Sequence, residues 1–164
     1  MTFTCQKLTP DHATPWQALR LEGTRDFPLG FLLSHDAATA ASVEDCRKQL
    51  RDRSYWGVFA DDDLVGYCGY HPQTMPRLTH RAEIGPFFVT PTRQGSGAAS
   101  ALMQAVIAQA QSDGIAQLEL YVDTENPRAI AFYEKQGFIR VARLTDTVRI
   151  EGQSRDDYLY TLRL

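Results

Sequence analysis

Long apolar runs are absent from this chain. No stretch of its 164 residues approaches the roughly 18 apolar residues of a membrane-spanning helix, so no membrane partner is expected. The amino terminus, MTFTCQKL, has no charged segment followed by an apolar one, which argues against a secretory signal. Cysteine is scarce. Cys5, Cys46 and Cys68 are far apart and form no CxxC pair, so neither a disulfide scaffold nor a zinc site is expected. A reduced, cytoplasmic setting is the default expectation. Excess charge of one sign is missing as well: the net charge is −3 with both signs interspersed, which offers nucleic acid no basic stripe. His12, His35, His71 and His80 lack companion ligands at metal-site spacing, and no metal is expected. Repeats, low-complexity tracts and linkers are also absent.

What is present is an ordinary globular composition, 43% hydrophobic and 23% charged, at the length of one domain. A single domain over residues 1–164 is therefore expected. TFTCQKL reads as a first strand ending at Pro10, and a helix carrying Trp16, Leu19 and Leu21 follows, capped near Thr9 or Asp11. EGTRDFPLGFLLSHD, with two glycines and a proline, reads as a loop holding a partial second helix. Ser42 and Asp45 form a capping pair for a helix running to about Arg53. YWGVFADDDLVGYCGYHP reads as a hairpin turning at Asp61 to Asp63.

RAEIGPFFVT, almost wholly apolar from Ile84, predicts a strand covered on both faces, with a bulge or break at Pro86. Ala98 to Ser112 is the clearest helix: Ala99, Leu102, Met103, Val106, Ile107 and Ala110 recur at helical spacing, and Gly114 is placed to cap it. IAQLELYVD is another strand, NPRAIAFYEKQGF a short helix with Pro127 in its first turn and Gly137 after its end, and FIRVARL and DYLYTLRL the closing strands. The order predicts an α+β fold with a mixed, mostly antiparallel central sheet of about six to seven strands, one βαβ crossover and helices on both faces.

The segment RQGSGAAS, Arg93 to Ser100, joins the fourth strand to the long helix. Unpaired N–H groups and the positive end of the helix dipole meet there. Gly95 and Gly97 let the backbone approach a ligand, and Ala98 and Ala99 keep side chains clear. The chemistry suits a phosphate or pyrophosphate. A Walker loop is excluded because no lysine lies between Arg93 and Gln109. A dinucleotide loop is disfavoured by Ser100 in place of the third glycine and by the single βαβ unit, although Glu119 stands where a ribose-binding acid would. A tight turn that binds nothing remains open on the loop alone.

The surroundings add more. PTRQGSGAASALM resembles the acyl-CoA signature Q/R-x-x-G-x-G/A of the GCN5-related N-acetyltransferase (GNAT) superfamily, in the form Gln94-Gly95-Ser96-Gly97-Ala98-Ala99. The run Asn126, Ala129, Phe132-Tyr133-Glu134-Lys135, Gly137-Phe138 resembles its second signature at the family's separation. The resemblance covers 55–164 well and the first 50 residues loosely. It implies a GNAT-like fold, acetyl-CoA as co-substrate and N-acetyltransferase activity. The amides of Gln94 to Ala99 would bind pyrophosphate, with a hydroxyl from Ser100, a hydrogen bond from Asn126 and backbone pairing near Phe88 and Val89. Tyr133 would be the general acid and Glu83 the base, with His71 and His80 as runners-up. The acceptor is expected to be a primary amine of a small molecule, amino-acid-like if Arg143, Arg149 or Arg155 receives a carboxylate. A peptide N-acetyltransferase and a catalytically silent acyl-CoA-binding module are the alternatives. The Asp61 to Asp63 turn reads as solvation rather than a polyamine site, and the terminal strands are where a homodimer would form.

Overall fold

In the computed structural model, which describes residues 2–164, seven strands form one sheet. β1 (Phe3–Lys7), β2 (Tyr55–Ala60), β3 (Asp63–Pro72) and β4 (Arg81–Val89) pair antiparallel in succession. β5 (Gln117–Asp123) lies parallel to β4, and β7 (Gln153–Arg163) separates β5 from β6 (Ile139–Ile150) at the far edge. The parallel pair needs a crossover, which α4 (Ala98–Ser112) supplies. The predicted α+β sheet, mixed and mostly antiparallel with one crossover, is the observed one.

Helices cover both faces. α4 buries Leu102, Met103 and Val106 against one face, beside Val58, Cys68, Ile84 and Leu118. Each such side chain contributes about 1.5–3 kcal/mol relative to exposure. α1 (Ala13–Asp26) and α3 (Val43–Asp52) cover the other face, where Trp16, Leu19, Cys46 and Leu50 meet Tyr55, Phe59, Tyr67 and Phe88. α5 (Pro127–Lys135) sits beside α4, tied to it by Gln136 Nε2 donating to Ser100 Oγ at 3.1 Å. No helix among the described residues is long and apolar enough to cross a membrane.

Three segments differ from the sequence reading. EGTRD is helical, because α1 runs through Gly23 to Asp26. A Cβ on Gly23 would lie 2.6 Å from the Phe31 ring, so the helix needs glycine there for a close approach. A short α2 (His35–Ala40) then forms, capped by Ser34, whose Oγ accepts from Ala37 N–H at 3.1 Å. β6 and β7 extend well beyond the predicted strands through a two-residue turn at Glu151-Gly152, both at positive φ. A glutamate in a turn position that favours Asn, Asp or Gly concealed it.

β4 also departs from a strand covered on both faces. Glu83 and Pro86 are exposed, and its ladder to β5 holds only Arg81↔Gln117, Ala82↔Leu118 and Glu83↔Glu119. The β3–β4 register shifts between Cys68 and Tyr70, opposite Gly85-Pro86, as the proline predicted. The short ladder is stapled by Arg81, whose Nη2 donates to Glu119 Oε2 at 2.7 Å. Glu119 is buried, and this pairing holds its carboxyl below the ordinary glutamate range. Its stabilisation is therefore complete above about pH 4.3, the ordinary glutamate value, and is lost as pH falls from there through the depressed folded value. Arg81→Ala should cost about 2 kcal/mol in urea unfolding at neutral pH, less than a fully buried pair, because Arg81 is 33% exposed. The difference from wild type should shrink in acid.

Candidate active site

Beyond Glu83, β4 leaves β5 and a wedge opens between two parallel strands. Thr90 N–H donates to Val65 O at 2.9 Å, so strand alternation turns the backbone of Phe88 toward β3 and those of Phe87 and Val89 into the wedge. The Phe88 ring packs on the opposite face against Phe31 and Phe27.

A single 3₁₀ turn, Pro91–Arg93, carries the chain from β4 into the glycine loop. Gln94 anchors the loop, its Nε2 donating to Val89 O at 3.1 Å. Gly95 (φ +75°) and Gly97 (φ +97°) both adopt left-handed backbone, and no protein atom lies within 4 Å of a Cβ built on either. Gly97 is the N-cap of α4 and has no side chain to cap it, and the one side-chain contact to the helix's first amides among the described residues is a long one, Ser96 Oγ accepting from Ala98 N–H at 3.4 Å. The amides of Gly95, Gly97, Ala99 and Ser100 find no acceptor among the described residues. Ser96 turns inward, its Oγ donating to Arg93 O, and Ala98 is buried. Free amides, open space and the N-terminus of a 15-residue helix together make an anion cradle. Asn126 caps α5, its Oδ1 accepting from Ala129 N–H at 3.2 Å, while its side chain also borders the cavity described next.

That cavity, about 1080 Å³, runs from Gln94, Gly95 and Ala99 through the wedge to the space under α1 and its following loop. Tyr133, Glu83 and His71 all border it. His80 lies instead on a separate, smaller cavity beside Arg81. Glu83 faces His71 across the β3–β4 pair. Loss of hydration, with Glu119 nearby, raises the Glu83 carboxyl above its ordinary value. Burial, with Arg53 nearby, lowers His71. Burial also pushes the Tyr133 phenol up, so it holds its proton across the neutral range.

The arginines expected to receive a carboxylate are already occupied. Arg143 is paired with Asp156, Arg149 with Asp146, and Arg155 with Asp123 and Glu125. The sequence reading did not single out Trp16, Arg20, Gln49, Arg53, Tyr55 and Tyr67, which line the cavity's other end. They come from α1, α3, β2, β3 and the segment after α3, and no local spacing connects them. Among the described residues no group of His, Cys, Asp or Glu is arranged to hold a metal.

The arrangement has close counterparts among known structures. The acetyltransferase of the GNAT family from Streptococcus pneumoniae matches with a TM-score of 0.88 over 99% of this chain and 100% of that one, at 20% identity. The yncA protein of Salmonella typhimurium, solved with its cofactor acetyl-CoA, matches with 0.81 over 100% and 95%, at 14% identity. At such identities the likeness is one of fold. The profile of the Acetyltransferase (GNAT) family matches residues 16–138, and the chain belongs to that family. A mycothiol acetyltransferase of Brachybacterium faecium is 30% identical over 129 residues, covering 77% of this chain and 37% of its own length. The chain spans well under half the length of the mycothiol acetyltransferases it matches.

Proposed function

We propose that residues 1–164 act as one acyltransferase domain. It moves the acetyl group of acetyl-CoA to the primary amine of a small molecule, by direct attack in a ternary complex. The observation that carries this reading is the continuity of the uncapped α4 N-terminus with a wedge leading to Glu83 and Tyr133. The residues fit the co-substrate. Within the expected run from Gln94 to Ala99, the free amides are those of Gly95, Gly97 and Ala99, and with that of Ser100 they suit a pyrophosphate, while those of Gln94, Ser96 and Ala98 are engaged within the loop; Asn126 adds a polar contact, and the wedge-facing backbone of Val89 and Phe87 suits an amide-bearing arm. Phe88 contributes packing beneath that arm.

When bound, acetyl-CoA supplies a thioester whose acyl carbon accepts the amine and whose sulfur departs. Glu83, directly or through water, takes the proton that an alkylamine carries at neutral pH. His71 is the neighbouring second candidate. Tyr133 donates its hydroxyl to the sulfur as charge gathers there. The aromatic wall of Phe87, Phe132 and Tyr133 keeps water from that end of the wedge.

Incubation with acetyl-CoA and a panel of small amines should release free thiol. Tight binding of the coenzyme with no thiol released by any amine would instead make the chain a silent acyl-CoA-binding module. Gly97→Ala tests the cradle. A left-handed alanine is strained by about 1–2 kcal/mol, and its methyl would project into the open space over the loop. Acetyl-CoA affinity by calorimetry should fall about tenfold. An unchanged Kd in the folded variant would move the phosphate seat elsewhere.

A further inference from the structure

We propose that the end of the cavity beneath α1 is a carboxylate seat, so that the acceptor is an amino acid or a close relative carrying both an amine and a carboxylate. Six side chains, two of them on α1 and the others from α3, the segment after it, β2 and β3, bring hydrogen-bond donors there: Trp16, Arg20, Gln49, Arg53, Tyr55 and Tyr67. Trp16 is 1% exposed, and its Nε1 is the one buried side-chain polar atom without a hydrogen-bond partner among the described residues. An indole N–H can only donate, and leaving such a donor buried and unmatched is unfavourable, so a small rearrangement that brings an acceptor to it is favoured. Arg20 is half-buried with its guanidinium 4.5 Å over the Trp16 ring, and among the described residues it has no ion pair. Its guanidinium donates to the Cys46 sulfur at 3.6 Å, a weak acceptor. Among the described residues Arg53 likewise has no ion pair, whereas Arg25, Arg47, Arg51 and Arg81 each have one.

The seat is built rather than scattered. The Trp16 ring lies 4.7 Å from that of Tyr55, tilted against it, and 5.9 Å from that of Tyr67, and Tyr55 meets His71 at 5.6 Å. His71 in turn faces Glu83. A line of touching rings thus runs from the donor cluster to the base. Arg53 acts electrostatically on both His71 and Glu83, and Arg20 lies farther along over Trp16, so a zwitterion fits with its amine beside Glu83 and its carboxylate at Arg53, on the side toward Arg20. Phe27, Leu29 and Leu32, exposed apolar side chains on the same cavity, offer a wall for an apolar side chain.

The assignment of the amine rests on the acyl-transfer reading, and the seat does not, so two measurements separate them. In the first, thiol release from acetyl-CoA is followed with glycine, leucine and phenylalanine against their carboxamides. The acids should win in kcat/KM by about 100-fold, although the amine of an amide is the less basic and more often neutral. In the second, 3-phenylpropanoate and 3-phenylpropanamide are compared by thermal shift with coenzyme A present. The acid should bind at least about tenfold more tightly. Arg53→Gln and Arg20→Gln should each erase both preferences, with acetyl-CoA affinity retained as the check on folding. Arg53 is exposed, so its variant folds even if that of Arg20 does not. Selective binding of the acid with no amine acetylated would uphold the seat and overturn acyl transfer. Equal binding of acid and amide, or preferences that survive Arg53→Gln, would overturn the seat.

Discussion

Tyr133→Phe should lower kcat about 100-fold, equivalent to about 2.7 kcal/mol in the barrier, while acetyl-CoA affinity stays within about twofold. The ring sits in an aromatic corner, 5.4 Å from Phe132, 6.0 Å from Phe138 and 6.3 Å from Phe87. Phenylalanine preserves all of that packing. The hydroxyl has no hydrogen bond among the described residues, in contrast to Tyr70, bonded to Asp113 at 2.8 Å, and Tyr160, bonded to Glu134 at 2.9 Å. If Tyr133 served packing alone, removing an unmatched hydroxyl from apolar surroundings would leave Tm unchanged or raise it and leave turnover intact. The proposed role in acyl transfer predicts the same Tm with a large loss of kcat. Full turnover at neutral pH would remove Tyr133 from the donor role.

Glu83→Gln should lower kcat/KM about 100- to 1000-fold at neutral pH, the range of a lost general base. The sign of the pH dependence follows from the raised carboxyl. Below the Glu83 pKa the base is protonated and inactive, so wild-type kcat/KM should decline on the acid side, with a midpoint above the ordinary carboxylate value. Glutamine does not titrate, so the variant should lose that limb. A limb that persists with an unchanged midpoint would point to His71, which shares the cavity, and His71→Gln would then remove it.

Much of the donor half of the site was legible in order along the chain. Gly95, Gly97 and the small residues that open α4 are neighbours in sequence, as are Asn126, Phe132 and Tyr133 on α5. Their meaning depends on the 3.6-residue period and on which residues tolerate positive φ, both local properties. The acceptor half was not legible. Arg143 and Arg155 looked available because their partners, on β7 and β5, depend on strand pairing, while Arg149 is paired locally with Asp146 three residues away. Their carboxylates are Asp156, Asp146 and Asp123. Arg20 and Arg53 lie 33 positions apart in sequence, and packing of α1 and α3 on one face of the sheet brings them to the same cavity.

By itself, then, the sequence determined the order of elements, the glycine turn that opens α4, and the helix that presents Tyr133. These follow from short-range periodicity, turn chemistry and spacing. Only the tertiary structure decided where β4 parts from β5, which histidine joins Glu83, and which arginines remain without a carboxylate. Those outcomes rest on contacts between residues tens of positions apart. Three residue pairs and the Arg81–Glu119 staple hold the apex of the wedge, and the burial of Trp16 leaves its indole N–H without a hydrogen-bond partner among the described residues.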